Sequence, residues 1–180
     1  MDCGKEGLLS EFNELVELKA KVEDLSRVRE RLIELGAQYL GTFRQVDTYF
    51  EVPEGRLKLR ETSGKRLAEL VYYEREDITG PKRSRVYLIR LGKPKVLKDV
   101  LCKVLKRRVV VDKVREIYLY QGTQIHLDRV ERLGTFVEFE RKTLDVEKDR
   151  DSLKELMVEL ALDLGNLISL SYSDLLESLG

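Results

Sequence analysis

The sequence predicts an α+β protein built on a closed, eight-stranded antiparallel β-barrel with helices packed on its outside. Eight segments alternate polar and apolar residues with the period of two that a strand imposes. Nearly all of these segments are joined by short turns, which is typical of antiparallel pairing. Amphipathic helical segments lie between and after them, and their apolar faces need a sheet surface to cover.

The first half of the chain predicts one strand, one helix and three more strands. The first strand runs from about Glu14 to Val22. Asp24 then has the residue type and position of a helix N-cap, and Gly36 follows the last apolar residue of the helix. Turn residues separate the next three strands. These strands cover residues 37–51, 55–62 and 66–77.

The second half repeats this order, so the chain reads as β-α-β-β-β twice, the pattern of an internal duplication. Its helix follows Pro94 and carries a wide apolar stripe. Its four strands cover residues 84–91, 107–120, 123–130 and 135–142.

The last part of the chain predicts two helices. Leu153 and Leu164 mark the limits of one apolar stripe, and either Ser171 or Ser173 caps a short final helix. A length of 180 residues is most simply one domain. Within this single domain, residues 1–13 are predicted as an N-terminal extension and residues 148–180 as the C-terminal helices.

Composition narrows the class of protein. Lys plus Arg and Asp plus Glu both number 33, so the net charge is zero. This balance argues against a general binder of nucleic acids or membrane surfaces. The chain has no signal peptide and no apolar run long enough to span a membrane, which predicts a cytoplasmic protein. Cys3 and Cys102 have no metal-ligand spacing, and Cys102 is predicted as a small core or boundary residue of a helix.

Paired charges recur on one face of several predicted strands. Glu138 and Glu140 point the same way, and Val137 and Phe139 point the other way. This pattern has two interpretations. In the first, the strands are half-exposed and their polar faces lie in water. In the second, the strands form a barrel with the charged residues inside and the apolar faces buried under helices. The same pattern occurs at Glu17, Lys19 and Lys21, at Lys58 and Arg60, and at Lys113 and Arg115.

In the second case the lumen holds charges of both signs, and a ligand that carries both signs would satisfy them. A metal-bound triphosphate is such a ligand, since carboxylates suit Mg²⁺ or Mn²⁺ and Lys and Arg bind phosphate oxygens. His126 has no partner His or Cys, so it is predicted to be a hydrogen-bonded strand residue and not a ligand. The basic set is Lys19, Lys21, Lys58, Arg60, Arg75, Lys113 and Arg115, and the acidic set is Glu17, Asp128, Glu138 and Glu140.

Several separated motifs together resemble the CYTH superfamily, the triphosphate tunnel metalloenzymes that include class IV adenylyl cyclases and thiamine triphosphatases. "VELKAKV" matches part of the N-terminal E-x-E-x-K signature, and "QVDTYFE" and "LKLRE" match the strands that follow it. "LVYYEREDITGPKRSR" looks like a class IV cyclase segment, and "GTFVEFE" ends the most specific stretch. The resemblance extends from about Leu15 to Leu176.

The resemblance implies a tunnel barrel that holds a triphosphate and a divalent cation, Mg²⁺ or Mn²⁺. Glu17, Glu138 and Glu140 match the family's metal ligands, and Asp128 is a further candidate from the acidic set. The basic set above is assigned to substrate binding, and Lys19, Arg60 and Lys113 within it are also assigned to catalysis. One position departs from the signature. Leu15 replaces its first Glu, and Glu14 would point to the opposite face of the strand.

Three functions remain compatible with the sequence. The preferred one is a class IV adenylyl cyclase, which converts ATP to cyclic AMP and pyrophosphate. The alternatives are a triphosphatase acting on ATP, thiamine triphosphate or tripolyphosphate, and a non-catalytic nucleotide- or polyphosphate-binding module, which Leu15 supports. A homodimer is also compatible with the sequence.

Overall fold

Eight strands close into an antiparallel barrel in the computed structural model, which describes residues 12–179. Their order around the barrel is β1-β5-β4-β3-β2-β6-β7-β8. The predicted fold class is therefore confirmed. The strands are β1 (Phe12–Lys21), β2 (Gln38–Phe50), β3 (Arg56–Thr62), β4 (Ala68–Arg75), β5 (Lys82–Leu91), β6 (Arg107–Tyr120), β7 (Thr123–Val130) and β8 (Gly134–Lys142).

Four α-helices lie outside this barrel, and the element order repeats β-α-β-β-β as predicted. The predicted N-terminal extension falls mostly on residues 1–11, outside the described residues, whereas residues 12 and 13 belong to β1. None of the helices within residues 12–179 is long and apolar enough to cross a membrane. The helices are α1 (Leu25–Glu34), α2 (Pro94–Val104), α3 (Val146–Glu159) and α4 (Tyr172–Glu177).

Local capping sets the limits of α1 and α4. The Asp24 side chain accepts a hydrogen bond from the Ser26 backbone N–H, which confirms the predicted N-cap. Gly36 follows α1 with a φ of +73°, a left-handed conformation that glycine adopts at little cost. Ser171, and not Ser173, caps α4, because its side chain and that of Asp174 form a reciprocal capping box.

The helix α3 is shorter at its C-terminal end than the sequence predicts. Leu164 falls in a separate 3₁₀ turn (Leu164–Asn166), not on the apolar stripe of α3. The reason is local: Ala161 adopts a φ of +54°, and the Leu162 N–H donates to the Met157 carbonyl at 2.9 Å. This pattern of hydrogen bonds ends a helix and turns the chain away from its axis.

The apolar faces of the strands are buried under the helices. Val16, Leu18 and Ala20 of β1, with the outward residues of β6, β7 and β8, form one core with α1 and α3. Around the barrel, α2 packs Leu97, Leu101 and Leu105 against a second core that contains Phe50 and Leu59. This arrangement leaves the paired charges on the inner side of the barrel wall.

Only one side of α2 reaches the barrel, so part of its wide apolar stripe stays in water. Val96, Val100 and Val104 are 58%, 50% and 69% exposed. Cys102 is also exposed, so its prediction as a core or boundary residue is wrong. The contact of this region with the barrel is made by the three leucines.

The two ends of the barrel differ. The segment between α3 and α4 pairs with β1 through Ala20 and Leu167, and the Ile168 N–H donates to the Lys19 carbonyl at 2.9 Å. Ser171 and Tyr172 then line the lumen at this end, which we call the closed end. The opposite end, where β1 begins and β8 finishes, is the open end.

Candidate functional site

The barrel encloses a cavity of about 890 Å³. Inward-facing residues from all eight strands line it, and the paired charges are among them, so the interpretation with charges inside the barrel is the one the structure shows. Of the predicted site residues, nine line the cavity. They are Glu17, Lys19, Lys58, Arg60, Arg75, Lys113, Arg115, Glu138 and Glu140.

Residues of the C-terminal segment form the floor of this cavity. The Lys82 ammonium donates to the carbonyl oxygens of Ile168 and Ser169 at 3.0 and 2.9 Å, and Arg75 donates to that of Ser169 at 3.0 Å. The Tyr172 hydroxyl donates to Asp128 at 2.8 Å. Two basic side chains therefore hold the floor in place, and Arg75 does so while also lining the cavity.

Arg60 is held by a carboxylate that the sequence analysis did not select. Its Nε and Nη2 donate to the two Asp47 oxygens at 2.7 and 2.8 Å, and the Lys58 ammonium is 3.1 Å from Asp47 Oδ2. Although burial alone would raise the pKa of Asp47, the charges of Arg60 and Lys58 hold it well below its ordinary value. The Asp47 carboxylate fixes these two cations at the cavity wall in an ionised cluster.

Arg115 is held in the same way. Its Nε and Nη2 donate to Asp128 at 2.7 and 2.6 Å, and Nη2 also contacts Glu138. Burial opposes ionisation of Glu138, but Lys19 and Arg115 lower its pKa well below the ordinary value. The Lys19 ammonium is 3.3 Å from Glu138 and lies 3.8 Å from the centre of the Tyr172 ring.

Lys113 is the cation that the structure compensates least well. Burial lowers its pKa to about 7, and the neighbouring Arg115 charge adds to the effect. Its ammonium is 3.8 Å from Asp128, whose two oxygens already accept from Arg115 and Tyr172. An anion in the cavity would stabilise the charged form of Lys113.

Carboxylates converge on the wall formed by β1 and β8. Glu17 lies directly opposite Glu140, and Lys19 lies opposite Glu138. Burial raises the pKa of Glu17, and the charges of Glu140 and Glu138 raise it further. Within residues 12–179, His126, Glu138 and Glu140 form a group whose potential ligand atoms all lie within 4.8 Å of one another.

Two predicted site residues lie away from the cavity lining. Lys21 is exposed at the end of β1, where its ammonium is 6.0 Å from the centre of the Phe136 ring. Asp128 is buried behind Arg115, with both of its oxygens engaged. Neither residue belongs to the geometry on which we base a function.

Asp47, His126 and Tyr172 are site residues that sequence reasoning missed. The alternation of residues in "QVDTYFE" could have identified Asp47, because it places Asp47 on the inward face of β2 with Gln45 and Tyr49. His126 could be recognised as a site residue only when its neighbour on the adjacent strand was known. It lies opposite Glu138, in register with the carboxylate wall.

The open half of the cavity has a mixed lining of apolar and charged side chains. Glu14 points outward to Arg83, as its position predicts, and Leu15 occupies the inward place. Because the strands are antiparallel, the first residues of β1 and β2 lie at the same end as the last residues of β5 and β6. The apolar side chains that line this half include Leu15, Phe43, Leu88, Ile117 and Leu119. Charged side chains also line it, at Lys65, Arg66, Glu69, Arg90 and Lys142.

A closed antiparallel barrel with a lumen of mixed charge is the architecture of the triphosphate tunnel fold. The chain belongs to the CYTH domain family, whose model matches residues 13–172. This family binds triphosphate substrates and is generally metal-dependent.

Individual relatives agree with this assignment. A protein of Methanocaldococcus jannaschii named as a putative adenylate cyclase is 28% identical over 173 residues, which cover 89% of this chain and 97% of that one. A Pyrococcus horikoshii protein superposes with a TM-score of 0.83 at 24% identity and covers 89% of this chain and 98% of its own. A Hippeastrum protein, described as a putative adenylyl cyclase with a dominant triphosphatase activity, gives a TM-score of 0.70 at 14% identity over 92% of this chain and 95% of its own. The two structural matches show a shared fold.

Proposed function

We propose that the barrel binds a nucleoside triphosphate together with a divalent cation and acts on it as an adenylyl cyclase. The observation that carries this proposal is the polarity of the lumen. Lys19, Lys58 and Lys113 gather toward the closed end, and carboxylates line one wall. In the open half, a group of apolar side chains lies among charged ones. A nucleoside triphosphate has a matching order of groups, with its anionic phosphates at one end and its organic group at the other.

The carboxylate wall fits a divalent cation. Glu17, Glu138 and Glu140 bring three carboxylates together in a place withdrawn from bulk water, and their mutual repulsion contributes to the raised pKa of Glu17. These three residues would hold Mg²⁺ or Mn²⁺, whose charge would compensate theirs. When bound, such a cation supplies charge neutralisation at the phosphates.

The cationic side chains perform the remaining work of binding and charge stabilisation. In the cyclase reaction the ribose 3′-oxygen forms a bond to the α-phosphorus, the bond from that phosphorus to the β-phosphate bridging oxygen breaks, and the hydroxyl proton is lost. The departing pyrophosphate carries the new negative charge. Lys19, Lys58 and Lys113 lie where a pyrophosphate at the closed end would meet them.

A triphosphatase is the second candidate, and the activity named for the Hippeastrum protein favours it. It needs the same cationic lining, with water attacking the terminal phosphorus in place of the ribose hydroxyl. The floor formed by Ser171 and Tyr172 supports the cyclase instead, since a terminal phosphate bound beside it would lie away from the open end. A binding module without turnover is the third candidate.

Product analysis separates these functions. The protein is incubated with ATP and Mn²⁺ or Mg²⁺, and binding is measured by calorimetry in the same buffers. Formation of cyclic AMP and pyrophosphate would support the cyclase. Formation of ADP and phosphate would show that the protein is a triphosphatase and not a cyclase. Binding without products would establish a binding module, and absence of binding would overturn the proposal.

Glu138→Gln should abolish turnover, while Glu116→Gln, on the outer face beside Arg29, serves as the matched control.

A further inference from the structure

His126 presents a ring nitrogen to the carboxylate wall. The residue is 2% exposed, and its Nδ1 is 3.8 Å from Glu138 Oε2 and 3.8 Å from Glu140 Oε1. Among the described residues, Nδ1 has no hydrogen-bond partner. A buried polar atom without a partner is costly, so this position is suited to a ligand.

The other ring nitrogen has a partner of its own. His126 Nε2 lies 3.3 Å from Gln124 Oε1, and an amide oxygen at this place accepts the Nε2 proton. The neutral ring then carries its lone pair on Nδ1, which faces the carboxylates. This is the arrangement found in metal-binding histidines, whose second nitrogen donates to an oxygen that orients the ring.

The spacing of the three donor atoms suits one cation. Ligand atoms at adjacent positions of an octahedral cation with bonds of about 2.1 Å are about 3 Å apart, and opposite ones are about 4 Å apart. The Nδ1-to-oxygen separations of 3.8 Å lie within that range. Glu138 also contacts Lys19 and Arg115, so its carboxylate would be shared between the cation and these two side chains.

On β1, Leu15 supplies no donor atom to this wall. It lines the cavity at the place where the family signature has its first Glu. The wall therefore has one oxygen donor fewer than the signature provides, and His126 contributes a nitrogen to it. Mg²⁺ favours an all-oxygen environment, whereas Mn²⁺, Co²⁺ and Zn²⁺ accept imidazole readily.

We infer that His126 is a metal ligand, with Glu138 and Glu140, in a mixed nitrogen–oxygen site that selects a transition-metal cation such as Mn²⁺ over Mg²⁺. The inference rests on the proposed function in one respect, namely that the barrel holds a divalent cation. It goes further in naming a ligand and a metal preference that the carboxylates alone would not produce.

The chain allows a direct spectroscopic test, because His126 is its single histidine. Tag-free protein is loaded with Mn²⁺, with and without tripolyphosphate, and electron spin-echo envelope modulation is recorded. The expected result is a nitrogen coupling typical of imidazole. Any imidazole signal must come from His126, and the measurement needs no variant and no turnover.

Metal affinities complete the test. Calorimetry should show that Mn²⁺ binds at least about tenfold more tightly than Mg²⁺, and that His126→Gln removes most of this difference. Gln124→Leu, which removes the acceptor at Nε2, should weaken Mn²⁺ binding while keeping the nitrogen coupling. The folding of each variant is checked by its thermal unfolding.

The outcomes separate this inference from the proposed function. Mn²⁺ binding without nitrogen coupling, at an affinity that His126→Gln does not change, would overturn the histidine ligand and leave a carboxylate site in place. Failure of the wild-type protein to bind any divalent cation, with or without tripolyphosphate, would overturn the metal-dependent function as well.

Discussion

At the scale of single residues, the site depends on how each charge is compensated. Arg60 and Arg115 are each gripped by an aspartate through two hydrogen bonds, which fixes their guanidinium groups at the cavity wall. Lys113 has no comparable partner among the described residues, since Asp128 lies 3.8 Å away and serves Arg115 and Tyr172. These differences lead to two predictions.

The first prediction is that triphosphate binding takes up a proton through Lys113. Burial lowers its pKa to about 7, so the amine is largely neutral at pH of about 8 in the empty barrel, and a bound anion raises the pKa again. Calorimetry in buffers of different ionisation enthalpy should show this uptake, and Lys113→Met should remove it. Lys98→Met is the control, because Lys98 lies on the outer helix α2 and its ammonium is 2.7 Å from Glu61. Equal proton uptake by the wild-type and Lys113→Met proteins would contradict the prediction.

The lowered pKa of Lys113 also makes the free energy of unfolding depend on pH. The pKa of Lys113 in the folded protein lies below its ordinary value of 10.5, so the unfolded chain binds this proton more tightly. The contribution of Lys113 to the free energy of unfolding therefore increases as the pH rises from about 7 to about 10. Saturating triphosphate should reduce this dependence.

The second prediction compares two Arg–Asp pairs of matching geometry. Arg60→Lys removes a bidentate contact inside the barrel, whereas Arg44→Lys removes one on the outer wall, where Arg44 donates to Asp112 at 3.0 and 2.6 Å. We expect the inner change to weaken triphosphate binding by about 1.5–3 kcal/mol, because the charge is kept but the planar fork is lost. The outer change should leave binding unaltered, as measured by calorimetry. Equal effects of the two changes would mean that Arg60 does not serve the ligand.

At the scale of elements, the segment that carries α4 determines whether the barrel is a tunnel or a pocket. It pairs with β1, its carbonyls accept from Lys82 and Arg75, and Tyr172 reaches Asp128. These contacts connect the end of the chain to the same aspartate that orients Arg115. The floor of the cavity and its cationic lining are therefore one hydrogen-bonded unit.

The third prediction follows from this connection. Tyr172→Phe removes one of the buried hydrogen bonds to the ionised Asp128, so the free energy of unfolding should fall by about 1–3 kcal/mol, as measured by urea denaturation. Tyr39→Phe, which removes a hydroxyl from an exposed pair with Thr42, should change it by less than about 0.5 kcal/mol. A Tyr172→Phe protein of wild-type stability would show that the floor does not depend on this hydrogen bond.

At the scale of the whole molecule, the barrel has two unlike ends. Buried cationic side chains lie toward the closed end, and the open half combines a group of apolar side chains with charged ones. Helices cover its outer wall, so the lumen is where the paired charges of the strands meet. This arrangement favours a ligand with a polyphosphate at one end and an organic group at the other. Inorganic tripolyphosphate would leave the apolar side chains of the open half without a contact.

The fourth prediction tests this polarity. ATP should bind about tenfold more tightly than tripolyphosphate in the presence of Mn²⁺, since burial of the base against apolar side chains adds to the phosphate contacts. Ile117→Ser, in the open half, should reduce the difference without affecting tripolyphosphate. Val114→Ser, on the outward face of the same strand, is the control. Tighter binding of tripolyphosphate than of ATP would contradict an organic substrate.

Much of the fold could be read directly from the chain. Period-two alternation identified the eight strands, and β6 and β7 have the predicted limits. Asp24 marked one helix start, and Ser171 was one of two candidates for another, because capping is a contact between near neighbours in sequence. The inward face of each charged strand also followed, because side-chain direction along a strand depends only on position. Leu15 and Glu14 lie on the predicted faces for this reason.

Tertiary structure alone decided which charges meet. Asp47 and Asp128 are buried aspartates on inward strand faces, and each binds an arginine of a neighbouring strand. Which arginine each one binds is set by the register of the paired strands. His126 became a candidate ligand only because β7 pairs with β8 so that it lies opposite Glu138. Lys82 and Arg75 hold the floor because the last segment crosses the barrel. The pattern of side chains along one strand is local information, whereas barrel closure brings together residues whose partners no spacing in the sequence specifies.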